Sequence, residues 1–487
     1  MIPTSPHADL ADDERDAFEY LASVATGLAN EASQRSGECR GLSTVTRQAN
    51  ELADTCHITQ AVSVGTWAEF CARYRHLVHL KANALNELSN VSHPYVTIED
   101  FWDDVAAQGA GKSPRTFWDV YEHGRRRQLE ALLAHAYGAE SALLVNSGMS
   151  AIVVSLGMLS VRPGLKLLTG NRGYFETTEY LERFLRPMGI QVIRTSVSTP
   201  GEIVRVLSDL RPDIALFETV TNAPTAEIPC DWEQWFAASP TTFFVIDNSL
   251  QSHLTRWFDL VAKHVDRLIV VESAVKYLTH ECMAGVVYGD ATNVDRVREF
   301  ARLTGQQLQE KAFNYICEGE VAHIHWRLER HSRNVQAVVR ALEPYDSSFE
   351  FVYSPSTQAN ASPSALRLID AGPGGVVFIA LRLAGCNDDE NKTRLHRELL
   401  QRWQDRVHKS GLKLFVRAGF GWDETTARVY DSTKLNQADA PTYLRIAVGI
   451  EPRWIVESLA RELGEAAREL TTQTCKSENL GMVGAGC

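Results

Sequence analysis

Leu268-Ile-Val-Val-Glu-Ser-Ala-Val-Lys-Tyr277 decides how this chain is read. Leu268 to Val271 is a short, wholly apolar run, and β-branched but for its first residue, as expected of a strand buried on both faces. It stops at Glu272-Ser273-Ala274-Val275-Lys276-Tyr277, and the small residues Ala284 and Gly285 follow closely. Open α/β sheets bind ligands just beyond their strand tips. A lysine there can be desolvated, which lowers its pKa and frees its amine as nucleophile or base. Taken alone, Lys276 reads more readily as a solvated loop lysine. What turns the reading is a set of residues upstream at matching strand ends.

Those strands are Ala142 to Val145, Leu165 to Thr169, Gln191 to Thr195, Ile214 to Glu218 and Phe243 to Asp247. The segments between them are long enough for crossover helices, such as Gly201 to Leu210, and this favours a mostly parallel sheet. Asn146-Ser147-Gly148-Met149-Ser150 opens a helix predicted over Ala151 to Leu159, so the free amides of Ser147, Gly148 and Met149 form an anion site. Tyr174 follows the second strand, as a plate for a planar ring with a hydroxyl acid, or as core. Asn222 follows the fourth strand, where its amide suits a phenolate oxygen or a turn before Pro224. Asp247 closes four apolar positions; a buried carboxylate needs a partner, and a protonated pyridine nitrogen would serve. The alternative for Asp247 is a helix N-cap. Phosphate cradle, aromatic plate, Asn, buried Asp and lysine arrive in the order pyridoxal phosphate (PLP) needs.

From about Tyr121 to Leu470 the chain resembles the cystathionine γ-synthase, cystathionine γ-lyase and methionine γ-lyase family, fold-type I PLP enzymes of Cys/Met metabolism. The pieces are Gly138 to Ala142, Ser147-Gly-Met-Ser-Ala-Ile152, Tyr174-x-x-Thr177 and Glu218-Thr-x-x-Asn222-x-Pro224. Asp247-Asn248, Ser273-Ala-Val-Lys-Tyr277, Gly374-Gly375 and Arg445-Ile-Ala-Val-Gly-Ile-Glu451 continue the series. The resemblance implies PLP held on Lys276, with Ser147, Gly148, Met149, Tyr174, Asn222, Asp247 and Ser273 around it. It implies Arg445 as the clamp for a substrate carboxylate, a role its planar fork suits. It also implies a homotetramer of close dimers whose sites borrow residues across the dimer interface.

Departures from the family fall mainly on the substrate side. Val275 stands where Thr precedes the lysine, leaving Ser273 as the phosphate hydroxyl there. The Tyr-x-Arg that reaches the neighbouring subunit's phosphate has no clean counterpart; Tyr121 with Arg125 comes nearest, beside Arg126 and Arg127. Ala418-Gly-Phe-Gly421 replaces a Ser-Leu-Gly loop, His280-Glu281 replaces Gly-His, and the helical N-terminus is roughly twice the family's length.

The resemblance implies elimination or replacement at the γ-carbon of a γ-substituted L-amino acid. Lys276 takes the Cα and then a Cβ proton, and Tyr174 assists the leaving group as acid. The altered loop gives weight to a specialised branch that expels halide from an unsaturated chloro amino acid to leave a terminal alkyne. An aminotransferase or a non-catalytic PLP-binding protein are the rival classes.

The rest of the chain fits a soluble enzyme. Its 487 residues allow about three structural units. We expect a helical extension over 1–115, a PLP-binding large domain over 116–320, a smaller α+β domain over 321–470 and a mobile tail over 471–487. Thr66 to Leu88 carries a wide apolar stripe that needs burial. Gln108 to Ser113 ends like a phosphate loop but has Ala106 where the first glycine belongs, and is rejected as a nucleotide site. A net charge of −12 argues against nucleic acid and acidic membranes as partners. Nine scattered cysteines with no CxxC pair point to a reducing, cytoplasmic setting, and no metal site is expected.

Overall fold

The computed structural model describes residues 6–37, 39–58, 64–91, 124–222, 224, 227–279, 281–358, 362–383, 389–431 and 442–483. Three helices come first: α1 (Pro6–Gln34), α2 (Arg40–Ile58) and α3 (Val64–Val91). They bury their own core, with Phe18, Leu28, Leu52, Trp67, Phe70 and Tyr74 inside it, so the stripe of α3 is spent on its neighbours. Tyr121 and the rejected loop at 108–113 lie outside the described residues.

After α4 (Gly124–Tyr137) comes a seven-stranded sheet. Its strands are β1 (Ser141–Val145), β2 (Lys166–Gly170), β3 (Gln191–Thr195), β4 (Ile214–Glu218), β5 (Phe243–Asp247), β6 (Leu268–Glu272) and β7 (Gly285–Gly289). The order is β1-β7-β6-β5-β4-β2-β3, with β7 antiparallel to both its neighbours and the other pairs parallel. Apolar residues cover both faces, as a parallel sheet requires. Helix α5 (Gly148–Met158) packs over β6 and β7. Ends of β1, β2, β4, β5 and β6 open on one edge, where the crossovers leave room for a site. The four-residue helix start expected at Ala151 is moved to Gly148, because Ser147 caps it by accepting a hydrogen bond from the Ser150 amide.

A second sheet follows helix α7 (Ile324–Leu342), α6 being the short Phe175–Tyr180. Its order is β10 (Phe415–Val416), β11 (Thr426–Tyr430), β12 (Tyr443–Ala447), β9 (Val376–Leu381), β8 (Phe349–Tyr353). Helices α8 (Asp389–Lys409) and α9 (Arg453–Val483) cover it through Leu399, Trp403, Leu459 and Leu463. The expected mobile tail is corrected here: α9 runs on from Leu470 to Val483. The threonines that suggested an end instead return their hydroxyls to carbonyls one turn back, Thr471 to Ala467 at 2.9 Å and Thr472 to Arg468 at 2.7 Å. Among the described residues no helix is long and apolar enough to cross a membrane.

Candidate active site

One cavity of about 550 Å³ lies between the sheet edge and the second sheet. Ser147, Gly148, Met149, Tyr174, Asn222, Asp247, Ser273, Lys276 and Arg445 all line it. Arg125 does not. It reaches Asn314 at 3.2 Å and Glu31 at 3.5 Å, on the side facing the N-terminal helices. Its neighbour Arg126 is fully buried and donates to the Leu308 carbonyl.

The anion cradle is built by close approach. A β-carbon on Gly148 would lie 2.8 Å from that of Ser273, so only glycine lets the start of α5 sit against the lysine turn. Ser147 satisfies the Ser150 amide at 3.0 Å. The Gly148 and Met149 amides have no such partner among the described residues and open on the cavity.

Asp247 presents a buried carboxylate whose Oδ1 accepts the Ser249 amide at 2.9 Å. That turn is what the N-cap alternative foresaw in part, although no regular helix follows it. Burial pushes the Asp247 pKa up, against the lowering pull of the Ser249 bonds and Lys276. Its cross-strand partner is Glu218, in register on β4. Two acids on adjacent strands cannot both ionise readily. Burial, then the Asp247 charge, raises Glu218 to about 8.

Glu218 was quoted in the sequence without a role. In the structure its two oxygens take the backbone amides of Tyr174 and of Asn222, the latter at 3.1 Å. One carboxyl group thus fixes the two segments that carry the expected ring plate and the expected amide. The legible signal was a glutamate closing an apolar strand, as Asp247 does.

Lys276 is buried, and desolvation followed by Arg445 lowers its pKa to about 8. Its Nζ sits 5.0 Å from the centre of the Phe420 ring. Gly421 has φ +82, and a β-carbon there would overlap the Lys276 carbonyl oxygen, so the 418–421 loop is seated on the lysine itself. Arg445 donates to Asn222 Oδ1 and to the Gly419 carbonyl, both at 3.0 Å, and stacks over Tyr430 at 4.6 Å. Asn222 Oδ1 is therefore committed to the arginine, leaving its NH₂ for any other contact. Burial, with Glu176 next, raises the Tyr174 phenol well above its ordinary value, so it keeps its proton. Phe420, Arg428 and Tyr430 also line the cavity and were missed. Arg428 is the register partner of Arg445 across β11 and β12, a relation visible only once the strands are paired.

These residues fit PLP: amides for a phosphate, a buried acid opposite a ring nitrogen, and a desolvated amine between them. The sequence profile of the Cys/Met metabolism PLP-dependent enzymes matches residues 76–466. The chain belongs to that family. It is a PLP-dependent enzyme of amino acid metabolism, and PLP is its cofactor. L-methionine gamma-lyase of Pseudomonas putida is 26% identical over 57% of this chain and 69% of its own length. Mimosinase of Mimosa pudica is 25% identical over 72% and 77% respectively. The solved cystathionine gamma synthase of Xanthomonas oryzae pv. oryzae, with aminoacrylate and cysteine, superposes with a TM-score of 0.61. It is 20% identical, covers 74% of this chain and 90% of its own, and shows the same fold.

Proposed function

We propose that this enzyme carries out elimination or replacement at the γ-carbon of a γ-substituted L-amino acid. The observation that carries the reading is the facing pair in one cavity, a desolvated Lys276 amine and the buried fork of Arg445. The relatives named as γ-lyase and γ-synthase support it.

Arg445 grips the substrate's α-carboxylate, since a guanidinium has more donors than the two occupied here. That grip aims Cα at Lys276. Bound PLP supplies the electron sink, with Asp247 at its ring nitrogen. Lys276, partly neutral near pH 8, takes the Cα proton and then a Cβ proton. Tyr174, held by Glu218 through its backbone, gives a proton to a departing sulfur or oxygen. Ser147, Gly148, Met149 and Ser273 hold the phosphate, with Asn222 at the ring oxygen.

A second reading is favoured by Phe420. Its ring lies against the Lys276 amine, where a compact apolar substituent packs better than a polar one. Such a substituent is a halide, which leaves without a proton, and an unsaturated chloro amino acid would then yield a terminal alkyne. Product analysis by mass spectrometry in heavy water separates the readings, with γ-thioether, γ-oxygen and γ-halo amino acids offered side by side. Ammonia and a 2-oxo acid from the thioether support an ordinary γ-lyase. Turnover of the halide alone, with amine kept and deuterium at Cα and Cβ, supports the specialised branch. Accumulation of the pyridoxamine form would overturn both in favour of an aminotransferase.

We read the assembly as a homotetramer of close dimers in the cytoplasm, with Arg125 turned from its own cavity and so placed to serve a neighbour's phosphate. Sedimentation of a fully active monomer would refute this.

A further inference from the structure

The N-terminal helices are tied to the cavity by two side chains one turn apart on α3. Arg75 spans Asp423 with both arms of its fork, Nε at 2.8 Å and Nη2 at 3.0 Å, and gives Nη1 to Glu320 at 2.7 Å. Four residues on, His79 Nε2 meets Glu281 Oε2 at 2.5 Å. Positions i and i+4 share one helical face, so a single surface of α3 meets both contacts.

Each contact ends on a segment that walls the cavity. Asp423 lies three residues beyond Phe420, whose ring faces the Lys276 amine. Arg327 binds the same carboxylate at 2.6 Å and the Gly421 carbonyl at 2.6 Å, which joins the clasp to the loop seated on the lysine. Glu281 lies two residues before Met283, another lining residue. Both segments are places where the sequence departs from its family, and the family match begins only at residue 76. Arg75 and the helices before it therefore lie outside the shared portion, yet they touch the altered walls.

We propose that Arg75 and His79 are positioning residues for the substrate wall, acting through Asp423 on the 418–425 loop and through Glu281 on the 279–283 turn. The N-terminal extension is then part of what sets substrate fit. A bidentate arginine fixes both position and orientation of its carboxylate, which a lysine point charge does not. The loop has other ties, with the Thr425 amide and hydroxyl on Glu451 and Gly419 on Arg445. These hold its ends, while Arg75 and Arg327 hold the stretch between.

This rests on the reading of the cavity as an amino acid site, so the test has an arm that does not. Hydrogen exchange by mass spectrometry would be run on the full-length, PLP-loaded enzyme and on Arg75→Met, Arg75→Lys, His79→Leu and His79→Gln. Arg75→Met is expected to speed exchange over 417–425 and His79→Leu over 279–283, with β4 and β5 unchanged. His79→Gln, which can still donate to Glu281, should restore the parent pattern. In parallel, L-norvaline, which has a γ-carbon and no leaving group, would be titrated by visible absorbance. Half-saturation should rise about tenfold in Arg75→Met and less in Arg75→Lys, since small misplacements at a site cost that much or more. Faster exchange confined to α1–α3, with half-saturation within twofold of the parent, would overturn the proposal. Should Arg75→Met fail to fold, Arg75→Lys and the His79 pair carry the test. An L-norvaline titration that is silent in the parent would count against the amino acid site, and the exchange arm would still decide the clasp.

Discussion

The two walls of the cavity are made in different ways. The cofactor wall comes from strand ends and one helix start: Ser147, Asp247, Ser273 and Lys276 each follow within a few residues of an apolar strand. Its contacts are short in sequence and use backbone amides. The substrate wall is a loop and a turn held by side chains from far away, Arg445 to Asn222 and Arg75 to Asp423. The first kind is fixed by the sheet and tolerates little change; the second is set by a few charged side chains and can be retuned without touching the sheet. Chemistry is assigned to the first wall and substrate choice to the second.

Substitutions should divide along that line. Lys276→Ala should have the largest effect, a fall in turnover of about 10⁴-fold with loss of the lysine-bound cofactor absorbance, read by spectrophotometry and steady-state rates. Asp247→Asn comes next, about 10²- to 10³-fold in kcat, because a neutral amide no longer stabilises a protonated ring nitrogen. Arg445→Lys should act mostly on KM, raising it about tenfold or more with a smaller change in kcat. If instead Arg445→Lys lowers kcat alone, the division between the walls is wrong.

Two pH effects sharpen the same contrast. In the apoenzyme Lys276 has its pKa lowered to about 8, so amine acylation followed by peptide mapping should show it half-reactive there. An ordinary lysine at about 10.4 is neutral at that pH in well under ~1% of molecules. Glu218 runs the other way. Its folded pKa is raised to about 8 from 4.5, so the folded chain holds a proton that the unfolded chain releases. Its contribution is present at low pH and is lost as pH rises through that window. Apoenzyme melting temperature from pH 5 to 8 should therefore fall less steeply in Glu218→Gln, the smallest of these effects, about 2–4 °C.

The cofactor wall was legible because apolar runs ending in polar residues mark strand tips in a single pass. Phe243 to Asp247 and Gln191 to Thr195 were placed to the residue. What was not legible depended on pairing. β7 is five residues hidden in the lysine stretch, and it is antiparallel in a sheet expected to be mostly parallel. β11 carries an arginine in its middle that reads as loop until Arg428 is set beside Arg445. Glu218 showed its polarity but not its two amide partners, one of them 44 residues upstream. The clasp from Arg75 crosses 348 residues, which no local pattern reports.

Arg330 is fully buried, with its guanidinium on Asp13 of α1 at 2.6 Å, and Trp326 beside it stacks on Tyr20 at 4.0 Å. An arginine that has traded water for carboxylates on another segment makes the two inseparable in descent. Deleting the first helix would not recover a simpler ancestor; it would leave a charge stranded in an apolar setting. Extension and body are thus inherited as one, and lineages carrying this family's shorter N-terminus should have something other than arginine at that position.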